Sequence, residues 1–398
     1  MAKDSATRGQ RQCEEVRRSN LQQITFDIAL LNKNQSSIML KFIFKRLLNG
    51  LGILFGVVTL IFILFNIIPG DPARMVLGQR ADSTSIAVVR KDLGLDKPII
   101  QQYLKYINDL SFVSVFNTKD NQSFFYYDKK IYSASYSLLK LGKKHQLIFK
   151  APYLRRSFQN QRNVSYIIKS AFPATFILAL VSIVFASLIG IGLGIIAALK
   201  HNKWIDKLIL IMTSFGMSLP SFFAAILIAW LFAFILGKYT GLNLTGNLYE
   251  IDDMGNGVHL MLRNLILPAL TLGIRPISVF SQLTRNSLLD VLSQDYIRTA
   301  RAKGLSETRV IWNHALRNAL NPVITSISGW FASMMAGVIF VEYIFGWQGL
   351  GYAMVYAVQN FDLPVVMGTV LVISVIFIVV NILADISYSL LDPRVKLN

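Results

Sequence analysis

At 398 residues the chain is long enough for two or three average soluble domains. Composition excludes them: 53% of residues are hydrophobic, only 16% are charged, and the mean hydropathy is +0.48, more apolar than a soluble surface tolerates. The net charge of +18 would suit a nucleic-acid partner, but its distribution points to a bilayer instead, as shown below. A lone cysteine, Cys13, excludes an intrachain disulfide, and His145, His201, His259 and His314 lie far apart with no HExxH or CxxC pairing, so no metal site is expected from this chain alone.

Residues 1–38 are polar and mixed in charge and are expected to form a tail. MLKFIFKRLL from Met39 places basic residues directly before an apolar stretch; translation beginning at Met39 would leave 1–38 outside the native protein, and N-terminal sequencing decides this. Residues 47–70 carry no charge, and a run of about 18 or more apolar residues is long enough to cross a hydrocarbon core of about 30 Å. The run is too long for a signal-peptide core and is expected to stay as an anchor. PGDP at 69–72 stops the helix, so 39–111 reads as the first span and the start of an outer loop. Residues 84–107 show helical periodicity, and 112–152 turn aromatic and β-favouring, which predicts a small strand-rich insertion.

Five further spans are expected within 170–390, at about 174–199, 208–236, 264–284, 323–342 and 363–385. The first carries Gly190, Gly192 and Gly194, residues that let helices approach closely. The second is interrupted at SLPSFF, where Pro220 predicts a kink; Ser218, Pro220 and Ser221 are candidates for a pathway lining, with a plain packing kink the alternative. The third contains Arg275, which either pairs with a neighbouring carboxylate or carbonyl or lines the passage. Glu342 closes the fourth and either serves an outer gate or partner contact or reaches the aqueous interface; Asp385 ends the last as an interfacial anchor.

Charge sets the orientation. Segment 200–207 holds three Lys against one Asp and 285–317 six Lys/Arg against three acids, whereas 237–263 has two against three and 342–362 none against two. Short basic loops stay inside, so both termini are expected to be cytoplasmic. Segment 70–170, with 17 basic residues against seven acidic, is too long for the rule to apply.

The stretch DYIRTARAKGLSETRVIWNHALRNALNP, 295–322, reads as two short helices broken at Gly304. Tyr296, Ile297 and Ala300 share a face of the first; Leu305, Val310, Ile311, Leu316 and Leu320 supply the second, with Ser306 as its N-cap. Arg298, Arg301, Lys303 and Arg309 point outward, toward either anionic headgroups or a partner.

This loop resembles the EAA loop of ABC importer permeases, in the peptide and nickel branch, where it reads close to DYxRTARAKGL. Only Ala300 and Gly304 keep the general form; Arg298 and Thr299 stand where it has Glu and Ala. PGDPA at 69–73, LGLDKPIIQQYLKYI at 93–107, FPAT at 172–175, LPALTLG at 267–273, LTRNSLLDVLSQDY at 283–296, VEYIFGWQGLGYAMVYAVQNFDLPVVMG at 341–368 and LLDPRV at 390–395 extend the resemblance over the chain after Met39.

The resemblance implies an all-α polytopic membrane protein of the type I ABC importer fold, with about six transmembrane helices, in a bacterial cytoplasmic membrane. It implies import of di- or oligopeptides, with nickel as the alternative. The implied partners are a second homologous permease, two ABC ATPase subunits and an extracytoplasmic binding protein, and no nucleic acid. The coupling contacts would come from Arg298, Ala300, Arg301, Lys303, Gly304, Leu305, Asn321 and Pro322. No cofactor is expected on this chain: the Gly-Lys pairs at Gly142 and Gly237 lack the rest of a phosphate-cradling GxxxxGK[ST] loop, so ATP and Mg would sit on the ATPase. A stand-alone secondary transporter or channel also has six spans, but its coupling would call for mid-membrane carboxylates or histidines.

Overall fold

The computed structural model describes residues 42, 44–64, 82–92, 94–120, 123–129, 131–132, 135–142, 144–251 and 257–391. The expected tail, the start at Met39, the PGDP motif and most of LLDPRV lie outside these residues. The chain divides into two compact units, Met1–Ile53 with Asp385–Asn398, and Leu54–Ala384. In the first, Arg46 Nη2 lies 3.1 Å from Asp385 Oδ2 and its guanidinium stacks 5.2 Å above the Phe42 ring.

The second unit is helical apart from two small sheets. The first span, α1, is Phe44–Leu64. The helix expected over 84–107 is two helices, α2 (Ser83–Asp92) and α3 (Ile99–Leu110). Gly94, at φ +71°, reverses the chain after α2, and Pro98 opens α3. Tyr103, Tyr106, Ile107 and Leu110 of α3 then pack on Val58, Ile61 and Phe62 of α1. The insertion forms an antiparallel sheet in the order β1 (Val113–Asn117), β3 (His145–Lys150), β2 (Ser135–Leu141), with Phe116, Tyr132 and Ile148 at its core.

Helix α4 (Val164–Leu199) is 36 residues long, about 54 Å at 1.5 Å per residue, and starts ten residues before the apolar run that betrayed it. Next come α5 (Trp204–Ser218) and α6 (Ser221–Ile235), the latter ending in π-helical turns, then the short α7 (Gly237–Thr240). An unanticipated hairpin, β4 (Tyr249–Ile251) with β5 (Val258–Leu260), leads into α8 (Arg263–Leu292).

Helix α8 is the centre of the unit and the most buried of the long apolar helices among the described residues. It packs along α4, where Gly190 and Gly194 allow the contact. A Cβ on Gly190 would lie 2.8 Å from Phe280 Cβ, and one on Gly194 2.6 Å from the Ser281 carbonyl. Gly192, expected to act with them, faces open space because it lies about 160° further round the helix.

After α8 come α9 (Asp295–Ala302), α10 (Glu307–Arg309), a π-helical turn (Val310–Ala315) and α11 (Leu316–Ala319). The expected span 323–342 is α12 (Asn321–Gly337), 17 residues and about 26 Å of helix, followed by α13 (Ile339–Ile344). Segment 342–362, read as a loop, contains α14 (Leu350–Gln359), and α15 (Leu363–Leu391) ends the described chain. Among the described residues four helices are long and apolar enough to cross a membrane, α1, α4, α8 and α15, and five if α5 with α6 is one bent span.

Candidate functional site

The loop between α8 and α12 folds as a bracket against the chain's own helix ends. Ile297 and Ala300 of α9 are buried with Val310, Ala315, Leu316 and Ala319 against Ala198 of α4 and Leu288 and Val291 of α8. Gly304 makes the turn, at φ +79°, a conformation that costs a side chain with a Cβ about 1–2 kcal/mol; no atom would touch that Cβ, so the demand is conformational alone. Arg301 Nε donates to Glu307 Oε1 at 2.8 Å and bridges the turn. Arg298, Arg301, Lys303 and Arg309 are exposed, as is Trp312 at 60%. Ala300 is buried and Leu305 partly so, while Asn321 and Pro322 are exposed in the first turn of α12.

Two expectations are corrected here. Tyr296 leaves the buried face and accepts a hydrogen bond from Asn318 Nδ2 at 2.8 Å, because only positions 297 and 300 meet α4 and α8. Ser306 occupies the cap position without a side-chain cap bond; its carbonyl accepts from Val310 N instead.

Above the bracket, α5 runs antiparallel to α8 in a readable register. Arg285 grips Asp206 with two hydrogen bonds, Nε to Oδ1 at 2.6 Å and Nη2 to Oδ2 at 2.7 Å. Gln282 Nε2 donates to Thr213 Oγ1 at 3.2 Å, and Gly216 lets Ser278 and Ile274 approach to within 2.6 and 3.2 Å of where its Cβ would be. Continuing that register brings residues 219–220 to the level of 274–275. There the helix breaks by 110°. Leu219 (ψ 125°) and Pro220 (ψ 138°) are both extended: a residue before proline avoids the helical region, and Pro220 has no N–H for the Gly216 carbonyl. Pro220 therefore lies between two helices, not inside a kinked one as expected. Ser218, Pro220 and Arg275 are exposed, and Ser221 is half-buried. Arg275 has no hydrogen bond or ion pair among the described residues.

Glu342 is the larger correction. The reading that it reaches the aqueous interface fails, because it has no exposed surface. Its Oε1 accepts from Thr175 Oγ1 at 2.6 Å, and its Oε2 from the backbone N–H groups of Gly351 (2.7 Å) and Tyr352 (3.1 Å) in the first turn of α14. Gly349 and Gly351 are required by this knot, since a Cβ on Gly349 would fall 2.1 Å from Glu342 Oε1 and one on Gly351 2.4 Å from Ile339 Cα. Trp347, fully buried, donates from Nε1 to the Ala174 carbonyl at 3.0 Å. The motifs FPAT and GWQGLG, separate in sequence, thus form one polar knot between α4, α13 and α14. Asp362 makes a similar anchor, accepting from Ser157 Oγ and from Phe158 N at 3.0 Å.

These features sit in a chain whose sequence matches a known pattern. The family model for the binding-protein-dependent transport system inner membrane component matches residues 190–397, and its N-terminal companion matches 39–125. The chain belongs to this family. The glutathione transport system permease protein of Salmonella paratyphi A is 35% identical over 358 residues, 90% of this family member and 99% of the relative. The di/tripeptide transport system permease protein of Pseudomonas aeruginosa is 34% identical over 373 residues, with the same coverage. A chain from the inward-facing MetNI methionine ABC transporter is similar at a TM-score of 0.44 and 16% identity, over 57% of this chain and 97% of that one.

The knot residues Thr175, Trp347, Gly349 and Gly351, and the Asp206–Arg285 clamp, escaped the reading of the sequence. All four knot residues and Arg285 lay within quoted motifs, but no periodicity connects Thr175 with Glu342, 167 residues apart.

Proposed function

We propose that this chain is the permease subunit of an ATP-driven importer of short peptides. It lies in a bacterial cytoplasmic membrane with both ends in the cytoplasm and the 112–152 sheet outside. It assembles with a second homologous permease, two ATPase subunits and an extracytoplasmic binding protein, and ATP and Mg are held by the ATPase. The peptide cargo is carried over from the relatives, whose names give glutathione and di- or tripeptides.

One observation carries the coupling role. The bracket at 295–319 spends its apolar side on the cytoplasmic ends of α4 and α8, leaving a face of Arg298, Arg301, Lys303 and Trp312 free to meet a partner. Displacement of that face is transmitted to α8 through Leu288 and Val291, and from α8 to α5 through the Arg285–Asp206 clamp. The ATPase drives the permease only if it binds the bracket differently in two states, since a ligand shifts an equilibrium by its differential affinity alone.

The test is Gly304→Val. The expected result is normal membrane insertion with loss of co-purifying ATPase or of its stimulation; unaltered transport by the variant would refute the coupling role.

A further inference from the structure

Among the described residues Arg275 is the one charge deep in a span, on the most buried of the long apolar helices, and it is exposed with no hydrogen bond or ion pair there. Three destinations are open to such a guanidinium: lipid, a carboxylate on another subunit, or the solute path. Lipid is disfavoured by the company it keeps. Arg275, Gln282 and Asn286 fall on one face of α8 at helical spacing, and a charge at membrane depth is tolerated where it faces protein or water.

The register of α5 on α8 gives the second, independent observation. Asp206 with Arg285, Thr213 with Gln282, and Gly216 with Ser278 lead upward to the break at Leu219–Pro220, level with Arg275. A broken helix frees backbone carbonyls, and at membrane depth these are tolerated only where protein or water satisfies them. Pro220 and Ser218 are exposed at the break, as Arg275 is on α8.

We propose that Arg275 is a substrate-binding residue of the translocation path and takes the carboxylate of the transported peptide. The chemistry fits: a guanidinium offers a two-pronged donor fork to a carboxylate, and every unmodified peptide carries a C-terminal carboxylate whatever its side chains. A single exposed arginine holds such a group weakly, as a transient site on a path must. The inference rests on the peptide-import reading and deepens it.

The experiment uses the complete transporter in proteoliposomes with trialanine as probe. Arg275→Gln should lower trialanine uptake at least tenfold and Arg275→Lys less than threefold. In the Cys13→Ser, Arg275→Cys double variant, the introduced thiol should react with a water-soluble sulfonate methanethiosulfonate. Uptake by Arg275→Gln within twofold of wild type, a thiol that does not react, or separation of the two permease subunits in Arg275→Gln would each overturn the proposal, the last by assigning Arg275 to a partner carboxylate. A wild-type transporter that takes up no trialanine removes the cargo reading and this inference together; unaffected variants in a competent transporter remove the inference alone.

Discussion

Thr175 and Glu342 meet at 2.6 Å across 167 residues of chain, and the hydroxyl of Thr175 also accepts from Leu350 N at 2.8 Å. The pair therefore closes the first turn of α14 with side chains from two other helices. Helix N-termini carry N–H groups with no partner of their own, and a carboxylate is the group best suited to receive them.

Glu342→Ala is expected to leave Gly351 N–H, Tyr352 N–H and the Thr175 hydroxyl unpaired in a buried site. Each lost partner costs about 1–3 kcal/mol, so the assembled protein should lose about 3 kcal/mol or more. Glu342→Gln keeps one acceptor and should lose less. Thermal unfolding in detergent checks this; equal melting of the alanine variant and wild type would contradict it.

Gly304 is constrained by its backbone alone. Gly304→Asn, a residue that tolerates positive φ, should therefore preserve far more ATPase association than Gly304→Val or Gly304→Ala. If the asparagine and valine variants lose co-purification equally, the turn conformation is not what the partner requires.

Breaking the Asp206–Arg285 pair should be costly because both side chains are largely withdrawn from solvent, at 2% and 13% exposure. Asp206→Ala is expected to destabilise by about 3 kcal/mol, and Asp206→Ala with Arg285→Met to recover part of the loss by removing the orphaned charge. A double variant no better than the single would argue against the pair acting as a unit.

The three-stranded sheet should show a pH response. Burial pushes the Lys150 ammonium down to about 8, although its Nζ donates to the Asp109 and Ser111 carbonyls. In an unfolded chain it keeps its proton to about 10.5. Between these values the unfolded state binds more protons, so the insertion becomes more stable as pH rises from about 8. Burial also pushes Tyr106 up to about 12 and raises Tyr132, which donates to Asp109 Oδ1 at 2.6 Å. Above about pH 10 these phenols keep protons that the unfolded chain releases, and the gain reverses. Hydrogen exchange of residues 112–150, corrected for intrinsic rate, should show protection increasing from pH 7.5 to 9.5, and Lys150→Met should remove most of that increase.

Charge-free runs announced the spans, because hydrocarbon tolerates little else. The bracket was legible because a glycine between short amphipathic runs has few alternatives. Boundaries were less so: α4 begins at Val164, ahead of its apolar run, since its first turns pack on α14 and α15 through Val164, Ile168 and Ala171. The same packing made a helix of 350–359, where glycines and polar residues read as loop.

Composition and spacing by themselves determined that this chain crosses a membrane repeatedly, turns at Gly304 and resembles an importer permease, because hydrophobic length and backbone freedom are local properties. Only the tertiary structure decided that Glu342 is a buried staple and that Arg275 has no partner among the described residues. Whether a polar side chain is satisfied depends on which distant helix supplies its partner, and that follows from packing, not from neighbours in sequence.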